Sequence, residues 1–192
     1  TGPGNMVMDG LVTTLTGGRQ TFDRDGRWAA RGRVSENLLA EMMRHPFLRR
    51  RPPKTTGREE FGEAFITRVL GVARLLRLRP EDTVATATAF TAASVAEAYR
   101  RFVFPKLKAA ELDQLQIILG GGGAQNPTLR SMLARQIGVS ELFTHEDFGI
   151  VNPAKEALAF AILAHETLHG RPGNVPAATG ARRAVILGKI VP

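Results

Sequence analysis

The chain has 192 residues, 43% of them hydrophobic and 23% charged, enough to bury a real core and unlike a disordered composition. There is no cysteine, which excludes structural disulfides and thiolate metal sites and is compatible with a reducing, cytoplasmic setting. The net charge of +8 is carried mostly by scattered arginines, and aromatics reach only 6%, so a stacking platform for nucleic acid is not expected.

In chain order, Thr1-Gly2-Pro3-Gly4-Asn5 reads as a turn, and Met6, Val7, Met8, Leu11, Val12 and Leu15 have the spacing of a short helix stopped by Gly17-Gly18. Residues 19–33 alternate charge and glycine and predict an exposed loop anchored by Trp28. Ser35 is placed to cap a helix that Pro46 ends. The stretch Arg51 to Gly57 is extended. Thr56 and Glu59 then predict a capping box for one long helix bearing Phe61, Phe65, Val69, Val72 and Leu76, closed by Pro80. Asp82 is placed to cap a Thr- and Ala-rich helix to about Ala98, whose small side chains admit close neighbours.

Further on, Leu115 to Leu119 is the best strand of the chain and runs into Gly120 to Gly123. Asn126-Pro127 opens a helix through Leu129, Met132, Leu133 and Ile137, and a second short strand is expected at Leu142-Phe143. Asn152-Pro153 repeats the start signal for a helix running to His169, apolar on most faces and therefore expected to be buried, with Gly170 ending it. Val185 to Leu187 predicts a last strand. The fold class expected is α/β and helix-rich, with no internal repeat and no apolar run near the roughly 20 residues that span a bilayer, so no membrane partner is expected.

The strand, glycine turn and capped helix at Ile117 to Pro127 form the strongest local signal: bare backbone admits a ligand, and a helix amino terminus offers free N–H groups. It fits neither the dinucleotide pattern, where Asn126 stands in place of the last glycine, nor the P-loop, and a tight turn between buried elements is the alternative. His165-Glu166-Thr167-Leu168-His169 matches H-E-x-x-H, but residues 170–192 offer no downstream third ligand, so no zinc site is expected. Asp9, Glu146, Asp147 and Glu156 are carboxylates near glycine-rich or capped segments, each either a base, a cation ligand or a surface group.

Five blocks together resemble the anhydro-N-acetylmuramic acid kinases. They are Thr1-Gly2-Pro3-Gly4-Asn5-Met6 with Asp9; Pro52 to Gly57 with Arg58, Glu59, Phe61 and Gly62; Gly121-Gly122-Gly123-Ala124 with Asn126-Pro127; Glu156-Ala157 with Ala159-Phe160-Ala161; and Pro172-Gly173-Asn174 with Pro176 and Thr179-Gly180-Ala181. They keep family order and cover nearly the whole chain. The resemblance implies the actin-like sugar-kinase superfamily, with two ribonuclease-H-like lobes and ATP with Mg²⁺ in the cleft. It further implies a reaction in which water opens the 1,6-anhydro ring and the freed 6-oxygen takes the γ-phosphoryl group, giving N-acetylmuramic acid 6-phosphate in cell-wall recycling.

Carried over position by position, Asp9 resembles the base that activates water, Gly2, Pro3, Gly4 and Asn5 the loop facing phosphates and sugar, and Gly121, Gly122, Gly123 and Asn126 the nucleotide loop. Glu156 matches an acidic residue that supports the sugar or magnesium, while Lys54 and Arg58 shape the cleft. Two departures stand out. Pro153 occupies a position where the family usually has Asp, and the family's first phosphate loop and an Asp preceding the Thr1 position find no counterpart in the chain. Residues 1–192 are thus expected to form the carboxy-terminal lobe of a two-lobed kinase, a fragment inactive alone, with homodimerisation expected of the family. Levoglucosan kinases, or a non-catalytic ligand-binding remnant of the fold, are the alternatives.

Overall fold

The computed structural model describes residues 1–151 and 154–191. It divides into two units, one built from residues 1–50 and 56–143 and the other from residues 51–55 and 144–192. The described residues are 61% helical and their strands are two residues each, so helix packing rather than a sheet builds the core.

In the first unit α1 (Met6–Leu15) buries Val7, Met8, Leu11 and Val12, the spacing that one face of a helix requires, and positive φ at Gly17 and Gly18 turns the chain away. Residues 19–33 are more ordered than the loop their composition suggests. A 3₁₀ turn over Arg24–Gly26 leads into α2 (Arg27–Arg31), because the buried Asp23 carboxylate accepts the Trp28 N–H (2.8 Å) and the Ala29 N–H (3.1 Å). Helix α3 (Glu36–Met43) begins as expected, with the Ser35 hydroxyl accepting the Leu38 N–H at 3.4 Å. Pro46 opens the short α4 (Pro46–Arg49).

The long helix expected after Thr56 is two. Gly62 has a φ of −81° and a ψ of −147°, so the chain breaks between α5 (Arg58–Phe61) and α6 (Glu63–Leu75). Nor does the capping box form: Gly57 is the cap residue, and the buried Thr56 hydroxyl has no hydrogen-bond partner among the described residues. Proline then starts rather than follows an element, since Pro80 is the first residue of α7 (Pro80–Phe102). Asp82 sits in its first turn and takes the Arg33 N–H (2.8 Å) and the Arg79 guanidinium (2.7 Å).

Helix α7 is the axis of this unit. Every residue from Thr83 to Ser94 is buried, and Phe90 is the largest of them. The hydroxyls of Thr83, Thr86 and Thr88 satisfy themselves on carbonyls four residues earlier, which lets polar side chains enter an apolar interior. Small side chains bring backbones close: a Cβ at Gly2 would overlap the Ser94 hydroxyl, and one at Gly32 would overlap the Glu81 carbonyl. Phe47, Phe61, Phe65 and Phe90 pack edge-on or tilted in the core, Phe47 and Phe61 with ring centroids 5.7 Å apart.

After α8 (Ala109–Asp113), the expected strands shorten to β1 (Ile118–Leu119) and β2 (Phe143–Thr144), joined by the Phe143 N–H on the Ile117 carbonyl (2.9 Å). Between them Asn126 caps α9 (Pro127–Ile137), its Oδ1 accepting the Leu129 N–H at 3.0 Å, and Gly138 ends it with a φ of 85°.

The second unit holds α10 (Lys155–Leu168) and α11 (Pro176–Thr179). The start signal Asn152-Pro153 lies outside the described residues. Contrary to expectation, no residue of α10 is buried: Phe160 is 71% and Leu168 70% exposed. Its apolar residues lie all around the helix, and among the described residues the second unit holds no further long element to cover them. Val185 to Leu187 is not a strand but a loop tied down by Asn174, whose side chain accepts the Val185 N–H (2.7 Å) and donates to the Arg183 carbonyl (3.0 Å).

Candidate active site

Asp9 lies on the flank of α1 away from the four buried residues. It lines a cleft of about 750 Å³ together with Met6, Thr13, Thr21, Arg58 and Glu63. The Asn5 side-chain amide donates to its carboxylate at 2.6 Å, one helical turn back along the chain. Burial raises the Asp9 pKa to about 6, against the opposing pull of the hydrogen bonds from Asn5 and from the Asp23 backbone N–H, with a further push from the Asp23 charge. A carboxyl half-removed from water and poised near neutrality has the properties of a general base.

The turn before α1 is held from the opposite side. Gly4, at a φ of 61°, presents its carbonyl to the Thr91 hydroxyl of α7 (2.6 Å), and Gly2 packs against Ser94. Pro3 is buried between them in sequence. Asn5 then faces the glycine turn: a Cβ added at Gly122 would stand 3.4 Å from the Asn5 amide nitrogen, and one at Gly123 3.5 Å from the Asn5 Cβ. Gly121 has a φ of 82°, a conformation that favours glycine. Asn126, buried three residues beyond Gly123, caps α9 and donates weakly to the Met8 sulfur (3.8 Å). Two loops 120 residues apart in sequence are therefore brought together, with Asn5 touching both the glycine turn and the candidate base.

Arg58 joins Asp9 in the cleft. Lys54 and Glu156 belong to the second unit, where Glu156 is exposed in the first turn of α10. Pro153 lies outside the described residues. His165 and His169 share one face of α10 with ring centroids 4.1 Å apart, but the Glu166 carboxylate is engaged by the Arg171 guanidinium at 2.7 Å. Asp147 takes the N–H (2.6 Å) and hydroxyl (2.9 Å) of Thr144, which gives it a structural task.

Some contributors escaped the sequence reading. Asp23 both accepts two N–H groups of the first turn of α2 and neighbours Asp9, and its place before the tight turn Arg24-Asp25-Gly26 was the available signal. Thr13, Thr21 and Glu63 line the cleft, and only Thr13, one turn beyond Asp9, could have been placed there by helix spacing.

The family model for anhydro-N-acetylmuramic acid kinase matches residues 1–192. The chain belongs to this family. Similar proteins include one named anhydro-N-acetylmuramic acid kinase from Caldanaerobacter subterraneus subsp. tengcongensis, 46% identical over 190 residues, covering 99% of this chain and 47% of that protein. Two of the same name from Bacillus cereus, strains G9842 and B4264, are 46% and 47% identical, with 48% and 47% of their lengths covered. The chain thus spans about half the length of the curated relatives it matches.

Proposed function

We propose that this chain forms one half of a sugar kinase that hydrates and phosphorylates 1,6-anhydro-N-acetylmuramic acid, with Asp9 as the general base. The observation that carries the reading is Asp9 itself: a cleft carboxylate with a pKa of about 6, oriented by Asn5 beside a glycine turn.

In this mechanism Asp9 accepts a proton from a water whose oxygen bonds to the anomeric carbon. The bond from that carbon to the 6-oxygen breaks, and the 6-oxygen attacks the γ-phosphorus of ATP as the bond to the β-phosphate oxygen breaks. Asn5 keeps the carboxylate pointed at the water, and the turn Gly121 to Gly123 gives phosphates close access to backbone N–H groups. Arg58, in the same cleft, offers positive charge to a sugar carboxylate or a phosphate. Gly2 to Gly4 fix the turn that carries Asn5. Mg²⁺ belongs to the proposal as a companion of the nucleotide phosphates, where it would neutralise developing charge. Among the described residues no group of three or more His, Cys, Asp or Glu could hold a metal ion.

The remaining half of the family's length is proposed to supply a second lobe of an actin-like fold in a cytoplasmic and homodimeric enzyme, with Glu156 of the second unit supporting the sugar or Mg²⁺ and Lys54 helping to shape that unit's ligand-facing surface. The chain alone is then expected not to turn over. Phosphorus NMR of the product formed from ATP and the anhydro sugar by a protein that also carries that remaining half is the test. A sugar 6-phosphate supports the reading. Levoglucosan turned over in preference, or ATP bound with neither sugar phosphorylated, would replace it with one of the two alternatives.

A further inference from the structure

A second concavity, of about 490 Å³, is lined by Arg19, Arg24, Arg27 and Arg31 with Gln20, Thr21, Phe22 and Trp28. The arginines come from three places. Arg19 follows α1, Arg24 sits in the 3₁₀ turn, and Arg27 and Arg31 stand one turn apart on a single face of α2. Like charges gathered this way repel one another, and little in the fold relieves them. Among the described residues the one carboxylate paired with any of the four is Asp25, on Arg27 at 3.0 Å.

The walls are partly fixed. The Arg19 Nε donates to the Thr16 carbonyl (3.0 Å), and the Trp28 indole N–H is tied to the Gln20 side-chain oxygen (3.0 Å). The Arg24 guanidinium lies 5.7 Å from the centroid of the Phe22 ring, which is itself 47% exposed.

We propose that this concavity binds a small ligand bearing a di- or triphosphate group. Guanidinium forks match phosphate oxygens in pairs, and four of them around one cavity are balanced by a multiply charged anion but not by a monoanion. The volume falls within the roughly 300–1,000 Å³ of small-molecule sites. Two ring systems on one short stretch suit a compact ligand, whereas a nucleic-acid strand needs a long basic track with repeated stacking faces. The half-exposed Phe22 offers its face to a planar or apolar remainder of the ligand. This site is separate from the glycine turn, and the inference does not depend on the kinase reading.

Trp28 is the single tryptophan of the chain and lines this cavity, so its emission reads binding here, and loss of the response in the arginine variants assigns it to the cavity. The probes are inorganic tripolyphosphate, pyrophosphate and monophosphate, titrated into the 192-residue protein at low and at high salt. The expected result is a saturable change in emission that salt weakens, with tripolyphosphate binding at least ~10-fold tighter than monophosphate. The double variant Arg27→Gln/Arg31→Gln should weaken tripolyphosphate by ~10-fold or more, while Arg27→Lys/Arg31→Lys should lose less. Arg27 and Arg31 are both exposed, so circular dichroism should show an unchanged fold in either double variant. The absence of any saturable response up to about 10 mM tripolyphosphate, a dissociation constant too weak to matter, overturns the proposal. So does an affinity unmoved by the double Gln variant. Tighter binding of a single-stranded oligonucleotide that grows with its length would assign the patch to nucleic acid instead.

Discussion

Replacing Asp9 by asparagine keeps the shape of the side chain and removes its ability to take a proton. In a protein that carries this chain with the rest of the family's length, kcat should fall by ~10²–10⁴-fold, the usual worth of a general base, while the KM for sugar barely changes. The raised pKa adds a sharper signature. A base with a value of about 6 is roughly nine-tenths ionised at pH 7 and a tenth ionised at pH 5, so kcat/KM should fall about tenfold between them. At the ordinary value of 3.8 the same change would be under about 10%. Stability carries the opposite sign. Because the folded state holds this proton more tightly than the unfolded one, the contribution of Asp9 is full below about pH 4 and is lost as pH rises through about 6. Asp9→Asn should therefore gain stability relative to the parent between pH 4 and pH 8, by up to about 1 kcal/mol once screening of a partly exposed carboxyl is allowed for. The assays are continuous ADP release across pH 5–8 and thermal unfolding at the two pH values. An Asp9→Asn protein with near-parental kcat would remove Asp9 from the chemistry, and a flat kcat/KM profile in the parent would refute the link between burial and protonation.

Asn126→Ala removes the cap of α9 and leaves the Leu129 N–H without its partner, so thermal unfolding should show a loss of about 1–2 kcal/mol. Gly26→Ala should cost more, at least ~2 kcal/mol in chemical denaturation, because φ is 65° there and the new Cβ would overlap the Asn126 and Thr128 side chains. On α10 the 71% exposed Phe160 gives a contrast: Phe160→Ser should move the unfolding free energy of the 192-residue chain by less than ~0.5 kcal/mol. A large loss would mean that the side chain is covered.

Local chemistry was readable where one residue type has one main use. Ser35, Asn126 and the glycine pair after α1 did what capping and turn rules require. Legibility failed where several meanings compete. Thr56 and Glu59 satisfy the capping-box pattern, yet Gly57 takes the cap position and Gly62 breaks the helix. The apolar residues of α10 read as a buried element because periodicity reports how much surface wants covering and not whether a neighbour is present. Within the candidate site, the glycine turn before α9 could be singled out from its own residues, whereas Asp9 and the Gly2 to Asn5 loop could be named only through the family resemblance. Their convergence on Asn5 could not, since it depends on packing against α7 across about 90 residues of chain.

That dependence on α7 has a consequence for how the protein tolerates change. Thr91 spends its hydroxyl on Gly4, and Ser94 sets how near Gly2 can come, so the lateral position of the turn that carries Asn5 is decided by groups the size of a methyl. A gain of one carbon at Ser94 would press directly on Gly2 and push that turn outward. Even a slide that the fold survives would displace Asn5 from its 2.6 Å bond to Asp9. Variants along this helix should accordingly be scored for the position of Asn5 as well as for folding, because a soluble protein can have lost the Asn5–Asp9 bond.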